Sequence, residues 1–386
     1  MKRCHVVPGS WLAAAALLAF PACVKPPKLG DPLAGLTREE RARFDQGRQV
    51  FGRVFTPETG LGPLFNSTSC AECHEDPVPG GPGNELEVHA TAFLPGGVCD
   101  ALVRKGGPVI QQDATPALKA ALGIDREPVP PEATEARRSS PDVFGFGLLD
   151  AVPDTTILAR ADPDDRDKDG ISGRPNRFFD GRVGRFGRKA LVPTLREFND
   201  GAFVAEQGIT NPAVPTEETI GGSPIPTGVD PVPEPEIDQA AIDSNDAFVR
   251  FLAPPAPLSL SPTAKQGRKV FSGIRCDACH VPKLRTGDHP VKALSRKDVA
   301  AYTDLLLHDM GADLADICLG NATPAEFRTE PLMGLRLLEK FLHDGRAESV
   351  EEAIRLHGGE ATASRNKFKA LSEADRNALL EFLKSL

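Results

Sequence analysis

The chain has 386 residues, enough for two or three domains that each bury a core, and its formal charge is −9. No basic stripe offsets that deficit, so nucleic acid is excluded as an expected partner. Beyond the N-terminal leader no apolar stretch is long enough to cross a bilayer, so the mature chain is expected to be soluble or tethered.

In chain order, residues 1–22 read as an export signal. Lys2 and Arg3 precede an apolar run, Trp11 to Phe20, that is too short to span a membrane. Cys23 follows Ala22 where a lipoprotein signal is cut, although Phe20 and Pro21 depart from the usual box. Two readings stand: a lipid anchor at Cys23, or cleavage at a nearby site. Either places the mature protein in the periplasm.

Thr37-Arg38-Glu39-Glu40 is a capping-box pattern and predicts a helix that closes on Gly47-Arg48-Gln49-Val50-Phe51. Cys70-Ala71-Glu72-Cys73-His74 follows. Residues 125–141 and 211–236 are dense in Pro, Glu and Gly and read as loops or linkers. Between them, residues 142–210 hold short Phe-rich segments expected to pack on the first cysteine-bearing region. They also hold Asp165-Arg166-Asp167-Lys168-Asp169-Gly170, with acids at alternate positions before a Gly. That is the first half of an EF-hand-like calcium loop formed by Asp165, Asp167 and Asp169, but Asn176 stands where the bidentate Glu belongs. The other reading is a solvated acidic turn.

Ser261-Pro262 opens a second helix ending in Gly267-Arg268-Lys269-Val270-Phe271, a weak repeat of the first, and Cys276-Asp277-Ala278-Cys279-His280 follows it. Amphipathic runs at Ser295–Met310, Leu332–Leu342, Ser349–Leu356 and Ser372–Leu386 predict a mostly helical end to the chain.

Both cysteine motifs are C-x-x-C-H, the haem c attachment pattern. Two thiols add across the vinyl groups of a haem, and the adjacent His reaches the iron. A zinc site or thioredoxin-like pair also uses C-x-x-C, but neither accounts for a His directly after both pairs. Two haem c groups are therefore expected, attached at Cys70, Cys73, Cys276 and Cys279, with His74 and His280 as proximal ligands. Cys99 and Cys318 remain, either as a disulfide suited to an oxidising compartment or as two buried thiols. The chain divides into a signal (1–22), an N-terminal haem domain (23–124), a loop-rich middle (125–257) and a C-terminal haem domain (258–386).

Further stretches carry a resemblance: Phe144-Gly-Phe-Gly-Leu-Leu149, Ala161-Asp-Pro-Asp-Asp165, Asp169-Gly-Ile-Ser-Gly173, Asp304-Leu-Leu-Leu-His-Asp-Met-Gly311, Phe341-Leu-His-Asp-Gly-Arg346 and Glu351-Glu-Ala-Ile-Arg-Leu-His-Gly-Gly-Glu360. With the haem motifs, the chain resembles the di-haem cytochrome c peroxidase superfamily, most closely its di-haem oxidoreductase, or thiol-oxidoreductase-like, branch. The resemblance implies a mainly α fold of two cytochrome c-like helical haem domains with a loop-rich middle insertion, the haems facing a shared interface.

It also points to His357 as the distal ligand of the second haem, with Met310, Met333 and His308 as competitors. His89 falls near the spacing of a labile distal His for the first haem; the plainer reading is a loop His. His343 is expected to bond a propionate or orient a loop rather than to ligate iron. Glu206, or else Glu197, would be the acid–base group beside the first iron. The sequence departs from the family at Arg188, usually Trp, and at Phe198, usually Gln. The mature chain holds no Trp.

The implied function is a periplasmic di-haem, peroxidase-like oxidoreductase that takes electrons from a small cytochrome or cupredoxin and reduces peroxide, slowly given those departures. The alternatives are an electron carrier with two six-coordinate haems and no substrate, or a haem enzyme that oxidises a partner protein. An open or labile first haem separates the enzymes from the carrier.

Overall fold

The computed structural model describes residues 27–386, so the expected signal and the Cys23 anchor lie outside the described residues. Helix makes up 32% and strand 14%, so helix predominates less than a mainly α fold implies. Among the described residues no helix is long and apolar enough to cross a membrane.

The Thr37 hydroxyl accepts from the Glu40 N–H and the Glu40 carboxylate accepts from the Thr37 N–H, which starts the helix Arg38–Phe51. Its buried Phe44 and Phe51 pack on Phe248 of the helix Gln239–Phe251, with ring centroids 5.1 and 4.8 Å away. Between them lies Gly47, where a Cβ would fall 1.9 Å from the Ser244 carbonyl oxygen. The helices therefore approach more closely than any side chain permits.

The second repeat is built the same way. Ser261 caps the helix Pro262–Gly273, and a Cβ at Gly267 would fall 1.9 Å from the Ala378 carbonyl oxygen of the helix Glu373–Leu383. Phe271 meets Phe382 edge-on at 5.5 Å. The Gly-x-x-x-Phe repeat is thus a helix-crossing device used once before each C-x-x-C-H. In the first unit the partner helix comes from residues 239–251, so that unit draws on both the 23–124 and 125–257 segments.

Three local expectations are corrected. Within the expected loop 125–141, Thr134–Ser139 is a strand paired antiparallel with Leu86–Leu94, which also pairs with Val98–Asp100 and Val109–Ile110. Ser295–Met310 is not a helix: Tyr302 and Leu305 take positive φ, and the run ends in a strand, Leu307–Asp309, paired with Glu326–Arg328. Leu305, Leu306 and Leu307 are all fully buried, so the core surrounds this segment and its apolar run marks no helical face. Leu332–Leu342 holds only a 3-10 turn at Leu335–Leu337. Residues 211–236 do lack helix and extended strand, apart from isolated bridges.

One large core containing Phe44, Phe144, Phe186, Phe248, Leu294 and Leu306 joins the first unit, the middle and the chain after His280, and Cys70 packs against it. A second core of Phe271, Phe368, Leu379 and Phe382 supports Cys276. Cys99 and Cys318 are disulfide-bonded, with Cα atoms 5.7 Å apart across a sequence separation of 219. Next to that bond Asp316 meets Arg138 and Lys189, each at 2.8 Å, and all three side chains are 5% exposed or less. The sheet is therefore fastened to the second unit by a covalent bond and a buried charge cluster.

Candidate functional site

At the first motif Ser69 caps a single turn, Cys70–Cys73, by accepting from the Glu72 N–H at 3.2 Å. The turn delivers His74, whose Nδ1–H donates to the Pro141 carbonyl oxygen at 2.7 Å. With Nδ1 engaged, Nε2 is left with its lone pair. Burial lowers the His74 pKa against the pull of the Glu87 carboxylate, which favours the neutral, ligand-competent ring. Burial also pushes both thiols, Cys70 and Cys73, up to about 12, and the Glu206 charge adds to this.

Glu206 sits near the end of the helix Leu195–Gln207, and its carboxyl accepts from Asn66 Nδ2 at 2.9 Å. Desolvation, then the nearby Glu87 carboxylate, hold its pKa well above the usual carboxylate range. Glu197, the other expected acid, lies at the surface and pairs with Arg182 at 2.6 Å. Phe198 is 37% exposed and stands 6.3 Å from Phe186, ring to ring.

His89 is on the strand Leu86–Leu94, not in a loop. Its Nε2 lies 3.1 Å from Glu87 Oε2, and its buried Nδ1 has no partner. To reach a metal through Nε2 it must give up Glu87.

At the second motif Cys276, Cys279 and His280 line a cavity of about 580 Å³. His280 Nδ1–H donates to the Tyr302 carbonyl oxygen at 3.0 Å, and burial together with the neighbouring His357 pushes its pKa down to about 4. His357 ends the helix Val350–Leu356, lines the same cavity, and donates its Nδ1–H to the Ala353 carbonyl oxygen at 2.7 Å. Two imidazoles with free Nε2 atoms thus share one cavity. The thioethers of Met310 and Met333 line it too.

His308 is not available as a ligand, because Glu360 lies 2.7 Å from its Nδ1 and Asp304 lies 2.9 Å from its Nε2. His343 lines the cavity, stacked on Phe327 at 4.3 Å, with Nε2 3.9 Å from Asp316 Oδ2. Arg188 pairs with Glu330 at 3.0 Å and donates to the Ser139 carbonyl oxygen at 3.0 Å.

The residues present fit a covalently held haem at the second site. Besides the two thiols and two free Nε2 atoms, the walls carry the buried hydroxyls of Ser140 and Thr329, neither with a hydrogen-bond partner, as donors suited to a haem's carboxylate edge. Ser139, Ser140, Pro141 and Asp142 all line this cavity, while the Pro141 carbonyl holds His74. The two sites share a wall.

Asp165, Asp167 and Asp169 converge within 4.8 Å. Their oxygens already accept backbone N–H groups of Asp169, Gly170 and Ile171, and Arg275 pairs with Asp169. Asn176 is buried and donates to the Lys189 and Leu319 carbonyls instead. Glu217, Asp230, Glu234 and Glu236 form a second such group, unsignalled in the sequence. The carbonyls of Pro141, Tyr302 and Ala353 were likewise invisible there. Glu87 was within reach, because Glu-x-His in a strand puts both side chains on one face.

Two C-x-x-C-H sites with a common wall define a di-haem protein. Residues 132–386 match the family described as "Di-haem oxidoreductase, putative peroxidase", and the chain belongs to that family. Among solved structures it is similar to the diheme peroxidase BthA from Burkholderia thailandensis, at 16% identity and TM-score 0.41 over 89% of this chain and 86% of that one. It is similar to a MauG-like protein associated with microbial copper homeostasis, at 16% identity and TM-score 0.40 over 95% of each chain. It is also similar to hydrazine synthase from Kuenenia stuttgartiensis, at 14% identity and TM-score 0.37, covering 98% and 100%. No curated protein matches the chain.

Proposed function

We propose that this is a periplasmic di-haem c-type oxidoreductase in which the second site stores an electron and the first site reduces peroxide. The observation that carries this reading is the asymmetry of the two sites. The second offers imidazoles His280 and His357 on one cavity, whereas the first sets the half-buried acid Glu206 near Cys70 and Cys73. Bound haem iron would supply the one-electron chemistry at each site. His74 and His280 would hold the iron, and Glu206, its carboxyl raised above the usual range and bonded to Asn66, would be the group that gives and takes protons at the first site.

Arg188 and Phe198 offer neither an oxidisable relay nor an amide donor, so turnover is slow. The donor is a small cytochrome or cupredoxin, and Cys23 tethers the protein to a membrane. The Asp165–Asp169 loop takes calcium in this reading, supported by its three converging carboxylates. Chelation lowering the melting temperature of the holoprotein is the check on the loop. The function is tested by steady-state peroxide reduction with a reduced small cytochrome c as donor. Slow turnover supports it; no turnover, with both haems six-coordinate in every redox state, leaves the electron carrier.

A further inference from the structure

We propose that His308 is a fixed imidazolium, clamped between Asp304 and Glu360, that raises the reduction potential of the second haem. The proposal rests on the reading that Cys276 and Cys279 carry that haem. His308 is 3% exposed and lines the cavity. Its Nε2 lies 2.9 Å from Asp304 Oδ2 and its Nδ1 lies 2.7 Å from Glu360 Oε2. A neutral ring has one N–H and can satisfy only one carboxylate, so two carboxylates on opposite nitrogens require both protons. Burial opposes that charge, but the hydrogen bonds with Asp304 and Glu360 favour it.

The position of this charge gives it a role. Nδ1 is 3.6 Å from Cys279 Sγ, the atom that would join the haem edge. A positive charge so close, on a side chain that is itself buried, stabilises the electron-rich reduced state over the oxidised one. Glu360 also accepts from the Ser172 hydroxyl at 2.7 Å and from the Ser172 N–H at 3.0 Å, so the clamp is itself anchored to the middle region. Gly359 packs on the Asp309 carbonyl, which seats the His357–Glu360 segment beside His308. His308 is thus a tuning and positioning residue, not a ligand.

The test is potentiometry of the full holoprotein, following the low-spin spectrum of the second haem. His308→Gln removes the cation and lowers the reduction equilibrium constant about tenfold, equivalent to about 59 mV for one electron. Glu360→Gln removes an anion while keeping an acceptor, so it shifts the potential the other way. Opposite signs in the two variants support the proposal. Shifts of the same sign, or none, overturn it. If His308→Gln does not yield folded holoprotein, His308→Asn takes its place, because loss of the Glu360 anion alone raises the potential whether or not His308 is charged. A wild-type chain with no haem at Cys276–Cys279 would instead refute the functional reading beneath it, an outcome visible before any variant is made.

Discussion

Replacing Asp316 with Asn should destabilise the protein by about 3 kcal/mol, the low end of the range for breaking a buried ion pair. Asn keeps the shape but leaves the buried Arg138 and Lys189 facing a neutral amide. Lys189 retains other support: its ammonium donates to the carbonyls of Thr323, Pro324 and Glu326 and lies 3.5 Å from the centre of the Phe327 ring. Because those carbonyls engage its N–H groups, its 2.8 Å approach to Asp316 Oδ1 is a contact of charge rather than a directed hydrogen bond.

Arg138 is more exposed to the loss, since its Nε and NH2 both donate to Asp316 Oδ2, at 3.2 and 2.8 Å. The assay is urea unfolding at neutral pH with the disulfide intact, read as a lower midpoint at unchanged slope. Acid gives a second readout. Burial pushes the Asp316 carboxyl up, but Arg138 and Lys189 outweigh it and hold the group below its ordinary value. Its contribution is therefore complete above the unfolded carboxylate range, about pH 4, and is lost as pH falls through the depressed folded value. Wild type and variant should converge on the acid side. A loss under about 1 kcal/mol at neutral pH would refute the reasoning.

Three further outcomes are expected. His357→Met should raise the potential of one haem, because a thioether favours ferrous iron relative to imidazole; an unchanged potential and spectrum would show that His357 is not a ligand. Glu206→Gln should lower peroxide turnover by about 10²–10⁴-fold in steady-state assays while leaving donor oxidation by the second haem intact, as expected for loss of a proton donor. Replacing Cys99 and Cys318 together by Ser should lower stability by about 2–4 kcal/mol in denaturant titration, with both haems retained.

What could be read from the sequence was whatever is local or covalent. The C-x-x-C-H motifs need no tertiary context, and the capping box at Thr37 reports its helix directly. The repeat ending in Phe51 and Phe271 was visible, but its purpose was not, since Gly47 and Gly267 matter only through the Ser244 and Ala378 carbonyls far along the chain. Thr134–Ser139 looked like a loop because a strand reading Thr-Glu-Ala-Arg-Arg-Ser buries an Arg. That burial depends on Asp316, which no short-range pattern reveals. Ser295–Met310 failed in the opposite way, as an apolar run enclosed by core on all sides mimics an amphipathic helix. At the sites the same division holds. His74 and His280 follow from the motif, whereas the carbonyls that orient them, and the carboxylates that hold His308, are set by the fold.

The central claim is that this chain carries two covalently attached haems at sites with a common wall. Haem stoichiometry on purified, exported protein after acid–acetone extraction tests it most directly, with Cys73→Ala and Cys279→Ala as paired controls. Two extraction-resistant haems per chain are expected, with the loss of one stable attachment in each variant. One haem per chain, or a single metal with tetrahedral sulfur ligation, would contradict it.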